Sequence, residues 1–262
     1  MRIALGIEYD GTAYNGWQRQ DSGIGVQERV EEALSAVADA PVEATCAGRT
    51  DAGVHASAQV VHFDTRAERS PRNWVLGANS HLPPDVNALW AVPVPDDFHA
   101  RYSARARTYR YLILNRMTRS ALWRDRAWWV HRALDVEPMR AAAACLIGEH
   151  DFSAFRAAGC QAKTPRREVR AIEIVRRGDW VTIEATANAF LQHMVRNIVG
   201  VLAAVGTGER PPEWAAAVLE SRDRREGGIT APAHGLTLVA VEYPPHFGLP
   251  PVRPSAPDAP IP

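Results

Sequence analysis

Lysine is almost missing from this chain. Of 30 basic residues only Lys163 is a lysine, and the rest are arginine. The formal net charge is zero, so bulk charge does not single out a polyanionic partner. Arginine offers a planar fork to phosphates and bases, but genomic composition produces the same bias. Where the arginines lie therefore says more than how many there are. Cysteine is scarce too. Cys46, Cys145 and Cys160 are odd in number, far apart and form no C-x-x-C pair. That argues against a disulfide framework or a zinc site and fits a reducing compartment. The nine histidines contain no H-x-x-x-H spacing, which disfavours metal catalysis. Long apolar runs are also absent: the longest, Ile198 to Gly206, is far short of the roughly 20 residues a bilayer requires. The opening MRIALGIEYDG meets Glu8 too early for a signal peptide. The expectation is a cytoplasmic protein with no membrane segment and no metal.

What is present is a chain of 262 residues, 46% of them hydrophobic, enough for one large domain or two smaller ones. Ile3, Leu5, Ile7 and Tyr9 alternate as in a half-buried strand that ends at Asp10-Gly11. Val26, Val30, Leu34 and Val37 then recur at helical spacing. Strand patterns follow at 42–46 and 59–64, a helix at 73–82 stopped by Pro83-Pro84, and a strand at 88–94. The later chain gives a strand through Tyr109, Tyr111 and Ile113 and a helix over 137–147. A hairpin around Arg177-Gly178-Asp179, a long helix over 191–205, a shorter helix after Pro211-Pro212 and a strand over 236–243 complete it. Both halves read β-α-β-β-α-β. The expected fold is therefore α+β, with two ferredoxin-like (RRM-like) halves, a mostly antiparallel sheet and a central basic cleft. The boundaries are 1–105 for the N-terminal half, 106–246 for the C-terminal half and 247–262 for a proline-rich tail.

Charge is unevenly placed. Residues 99–132 hold nine arginines and one acid, Asp125, and residues 156–177 hold six arginines and Lys163 against Glu168 and Glu173. Such crowding repels itself unless a polyanion neutralises it, so a phosphate backbone is a reasonable partner. Tyr102, Tyr109, Tyr111, Trp123, Trp128 and Trp129 interleave with these arginines. They suit stacking on unpaired bases, or else point into a core.

The stretch AGRTDAGVHA, residues 47–56, carries the chemistry. Gly48 and Gly53 are spaced like the glycines of a phosphate-binding P-loop, but Val54-His55 replaces the Lys-Ser/Thr that loop needs. Asp51 is either a turn or cap residue, the common fate of a loop aspartate, or a nucleophile. A nucleophilic carboxylate must stay ionised and oriented, for which Arg49 and Arg196 are candidate partners.

At this point the chain resembles the tRNA pseudouridine synthases of the TruA type. The resemblance runs in order through IALGIEYDGTAYNGWQRQ, CAGRTDAGVHA, DDFHARYSARARTYRY, GEHDFSAFRAAGCQAKTPRREV, NAFLQHMVRNIVG and GLTLVAVEY. It implies that Asp51 is the catalytic aspartate and that Arg196 pairs with it. It also implies that Arg49 helps displace the target nucleotide, that Tyr109 stacks on the uracil and assists proton removal, and that Leu236 packs against the base. It further implies a homodimer that needs no cofactor and acts on the anticodon stem-loop of tRNA at positions 38, 39 and 40. Ala56-Ser57-Ala58 and Thr237 depart from the family pattern but spare these five positions. The rivals are a non-catalytic RNA-binding protein on the same scaffold and a hydrolase using Asp51 with water.

Overall fold

The computed structural model describes residues 1–20 and 23–251, so 252–262 of the expected proline-rich tail lie outside the described residues. Ten strands and five α-helices are present among them, a mixed α+β composition. The chain divides into two compact units: Met1–Ala106 with the returning segment from Leu238, and Arg107–Thr237.

In the first unit the central strand is β1 (Arg2–Tyr9), antiparallel to both β3 (His55–Asp64) and β4 (Val86–Val94). Ile3 stands opposite Phe63 and Leu5 opposite Val61, which brings the apolar sets of both strands to the same face. The register shifts between Ile7 and Tyr9, so Tyr9 pairs with Ala56. That irregularity lies where β1 runs toward the 47–56 stretch. The strand β10 (Leu236–Glu242) neighbours β3. Two helices serve this unit, α1 (Val26–Ala38) and α2 (Pro71–His81). Ser70 caps α2 by accepting the Asn73 amide at 3.2 Å, and Pro71 occupies the first turn, where its missing N–H costs nothing.

The expected strand over 42–46 shortens to β2 (Thr45–Cys46). Side chains of α1 take the intervening amides: Val42 N–H donates to Ser35 Oγ at 2.9 Å and Ala44 N–H to Glu31 Oε1 at 2.9 Å. These bonds replace a ladder, and they explain why Glu31 is buried.

The second unit orders its strands β5 (Ala106–Asn115), β9 (Trp180–Ala187), β8 (Arg166–Arg177) and β7 (Gly148–Asp151), with β6 (Trp128–Val130) parallel to β5. Its helices are α3 (Val136–Ala144), α4 (Met194–Gly206) and α5 (Trp214–Ser221). The sequence pattern does not anticipate β6 and β7, because three or four residues without alternation carry no period to read. The long helix begins at Met194 rather than 191 because His193 sits in the left-handed region at φ 63°.

Candidate active site

The 47–54 loop is held from three sides by its own unit. Ala47 N–H donates to Val60 O at 2.8 Å, extending the strand pairing by one step. Gln59, fully buried on β3, then clamps Gly48: its Nε2 donates to Gly48 O at 2.7 Å and its Oε1 accepts the Gly48 amide at 3.4 Å. Tyr9 OH meets Thr50 Oγ1 at 2.8 Å. Burial drives the Tyr9 phenol well above its ordinary pKa, with Thr50 and Gln59 opposing, so it stays neutral and serves as a strut.

The segment after β1 supplies the third side. Trp17 N–H donates to Thr50 O at 3.1 Å and Gly53 N–H to Tyr14 O at 3.2 Å. Gly11 N–H donates to His55 Nδ1 at 3.0 Å. Asp10 Oδ1 lies 3.1 Å from the same Nδ1 and accepts the Thr12 amide and hydroxyl at 3.0 and 2.6 Å. Two glycines make this approach possible. A Cβ on Gly11 would stand 2.1 Å from Val54 O, and one on Gly16, whose φ is +94°, would stand 2.5 Å from Thr50 O. Backbone therefore packs on backbone around Asp51, with no side chain between.

On this frame Asp51 is half-buried and Arg49 is exposed. The turn closes with Val54 N–H donating to Asp51 O at 3.1 Å. Cys46 is the one thiol near the loop, and burial pushes it up to about 12 against the pull of Arg49 and Arg101. It is therefore neutral near pH 7 and buried, unsuited to act as a thiolate.

Tyr109, Arg196 and Leu236 belong to the second unit. Tyr109 sits on β5 opposite Ala185, nearly buried, edge-on to Phe190 at 5.2 Å. Leu236 opens β10 and is also buried. Arg196 is half-buried on α4 and double-bonded to the 227–235 segment: its Nε donates to Ala231 O at 2.8 Å, and Ala231 N–H donates to Arg196 O at 3.1 Å. The neighbouring Asn197 is buried, donating to Phe155 O at 2.8 Å and accepting from Arg224 at 3.0 Å and Thr230 at 2.7 Å. Arg196 thus has a fixed base and a fixed direction.

The charge and aromatic patterns need correction. Arg107 is buried and donates to Asn188 O, and Arg110 is matched by Glu184 across the strand pair at 2.6 Å. Neither adds to an open basic face. Tyr111 is buried and donates to Pro232 O at 2.7 Å, while Trp123 is partly buried and meets Trp180 edge-on. Tyr102 remains open, at 77% exposure, and Trp129 is 39% exposed. The loop supports Tyr9, Gln59, Gly11, Gly16 and His55 were not singled out from the sequence, although IEYDGTAYNGW and AGRTDAGVHA contain four of them.

A family profile described as tRNA pseudouridine synthase matches residues 6–103 and 142–244. The chain belongs to the tRNA pseudouridine synthase family. It is 61% identical over 249 residues to the tRNA pseudouridine synthase A of Coxiella burnetii (strain Dugway 5J108-111), covering 95% of each chain. The protein of that name from Nitrosococcus oceani is 58% identical over 250 residues, covering 95% of this chain and 96% of its own. The one from Xanthomonas euvesicatoria is 54% identical over 252 residues, covering 95% and 98%. As a pseudouridine synthase the protein is an isomerase acting on tRNA. Arg49 and Asp51 fall in the first matched segment and Arg196 and Leu236 in the second, whereas Tyr109 lies between the two. No helix among the described residues is long and apolar enough to cross a membrane.

Proposed function

We propose that this protein converts uridine to pseudouridine in the anticodon stem-loop of tRNA, at positions 38, 39 and 40, with Asp51 as nucleophile. The observation that carries the reading is the loop itself: a half-buried carboxylate on a turn whose neighbours are bonded on three sides. Precise placement of a charged nucleophile is what covalent catalysis by aspartate requires.

The reaction is an isomerisation, so atoms and electrons balance within the substrate. The bond between uracil N1 and the ribose C1′ breaks, the ring turns, and C5 bonds to C1′. The C5 hydrogen leaves as a proton and N1 gains one. In this reading Asp51 promotes glycosidic cleavage. Arg196 pairs with the carboxylate and orients it. Tyr109 packs on the uracil and assists removal of the C5 proton. Arg49, exposed beside Asp51, assists displacement of the target nucleotide, and Leu236 packs against the base. The base must leave its stack, and contacts to the RNA backbone offset that cost. Two ferredoxin-like halves, a basic cleft, action as a homodimer and a cytoplasmic location belong to the same reading.

The test compares wild type with Asp51→Ala on unmodified tRNA carrying C5-tritiated uridine. Wild type releases tritium and the variant binds RNA without releasing it. Undiminished release by the variant would sink the mechanism. RNA binding by wild type without release would favour a non-catalytic binding protein.

A further inference from the structure

One exposed aromatic of the first unit is built in a way that its surroundings do not need. Tyr102 is 77% exposed, yet its ring rests on His99 at 4.3 Å between centroids, tilted by 34°. His99 rests in turn on His62 at 4.7 Å, and His62 meets the buried Phe98 edge-on at 6.1 Å. A column of rings runs from the core to the surface and ends in Tyr102.

The loop that carries it is anchored throughout. Ala100 is fully buried, with its N–H on His62 Nδ1 at 3.2 Å and its carbonyl accepting from Tyr243 OH at 2.5 Å. His99 Nδ1 accepts the amides of both Arg101 and Tyr102 at 3.2 Å, while Ser103 closes the turn through His99 N and O at 2.9 Å each. The ring is therefore presented in a set direction, and little freedom remains to be lost on binding. Burial keeps His62 and His99 below the ordinary imidazole pKa, with Arg2 acting in the same sense on both. The column is uncharged near pH 7. Arg101 stands 5.7 Å from the Tyr102 centroid, at the outer limit of cation–π contact.

We propose that Tyr102 is a stacking platform for an unpaired base of the RNA substrate, with Arg101 placed for the adjoining phosphate. A neutral π face beside a guanidinium is the chemistry by which proteins hold single-stranded nucleotides. Arg101 and Arg105, both exposed in the same unit, match a polyanion better than an apolar protein surface. The inference rests on the tRNA reading above and adds a contact to it.

The experiment uses the full chain and an unmodified anticodon stem-loop with 2-aminopurine placed singly at each unpaired position. Wild type quenches the fluorescence at one position. Tyr102→Ala abolishes that quenching and weakens binding about tenfold or more, in line with one lost base–aromatic stack. Tyr102→Phe, which keeps the ring and loses only the hydroxyl, restores both. Arg101→Gln lowers the slope of log K against log salt by about one. Binding by Tyr102→Ala within about twofold of wild type, with quenching unchanged, overturns the proposal while leaving the tRNA reading intact. A wild type that neither binds nor modifies tRNA overturns both.

Discussion

Replacing Gly11 with alanine tests whether backbone packing beneath Asp51 sets the rate of reaction. The new Cβ would stand 2.1 Å from Val54 O, where ordinary contact begins near 3.4 Å. Neither partner is a flexible side chain, so the 50–54 turn must move by about 1 Å, a displacement that costs roughly 10²-fold when it misplaces a reacting group. The overlap also costs about 1–3 kcal/mol of stability, as overpacking commonly does. Single-turnover tritium release at saturating tRNA reads the first effect and urea unfolding the second. Gly208→Ala is the control: its φ is +74° with nothing within 4 Å of the new Cβ. It loses about 1 kcal/mol to backbone strain with its rate unchanged. A folded Gly11→Ala protein that reacts within about threefold of wild type would refute the reasoning, because the loop would then tolerate displacement.

Two further outcomes follow from buried polar groups. His62 is held down to about 4, first by burial and then by His99 and Arg2, with Asp64 opposing. A folded pKa below the unfolded value of about 6.5 means that the unfolded chain binds the extra proton. This part of the stability is therefore complete above pH 6.5 and lost as pH falls toward 4. Between pH 7 and 5 the loss is about 2 kcal/mol. His62→Asn, which keeps an acceptor for the Ala100 amide, flattens the pH dependence of unfolding by that amount, and an unchanged pH dependence contradicts the assignment. Asn115 is buried and uses its whole amide: Nδ2 donates to Val130 O at 2.9 Å and Arg132 O at 2.6 Å, and Oδ1 accepts from Leu134 N at 3.0 Å and Arg176 at 2.7 Å. Asn115→Ala orphans those groups and lowers the unfolding free energy by about 2–4 kcal/mol, read by urea titration.

Much of the architecture was legible in advance where one period dominates. The alternation from Ile3 to Tyr9 and the helical recurrence of Val26, Val30 and Leu34 became β1 and α1 close to their expected bounds. The reading weakened where side chains captured backbone groups, as Ser35 and Glu31 do for 42–44. It weakened also in the short strands β6 and β7. Arginine counting overstated the open charge, because composition does not reveal that Arg107 turns inward or that Arg110 faces Glu184.

The sequence by itself determined the family and the candidate nucleophile, since AGRTDAGVHA and its companion motifs are local strings whose order along the chain is already information. Which residues make Asp51 rigid was decided only by tertiary structure. Tyr9, Gly11, Gly16 and Gln59 act on the 47–54 loop through contacts 11 to 43 positions away along the chain. The same holds for the aromatics. Tyr102 and Tyr111 look alike in an arginine-rich string, but folding buries one and leaves the other standing on a stack of histidines. Burial is a property of what lies opposite a side chain, and a linear pattern records only what lies beside it.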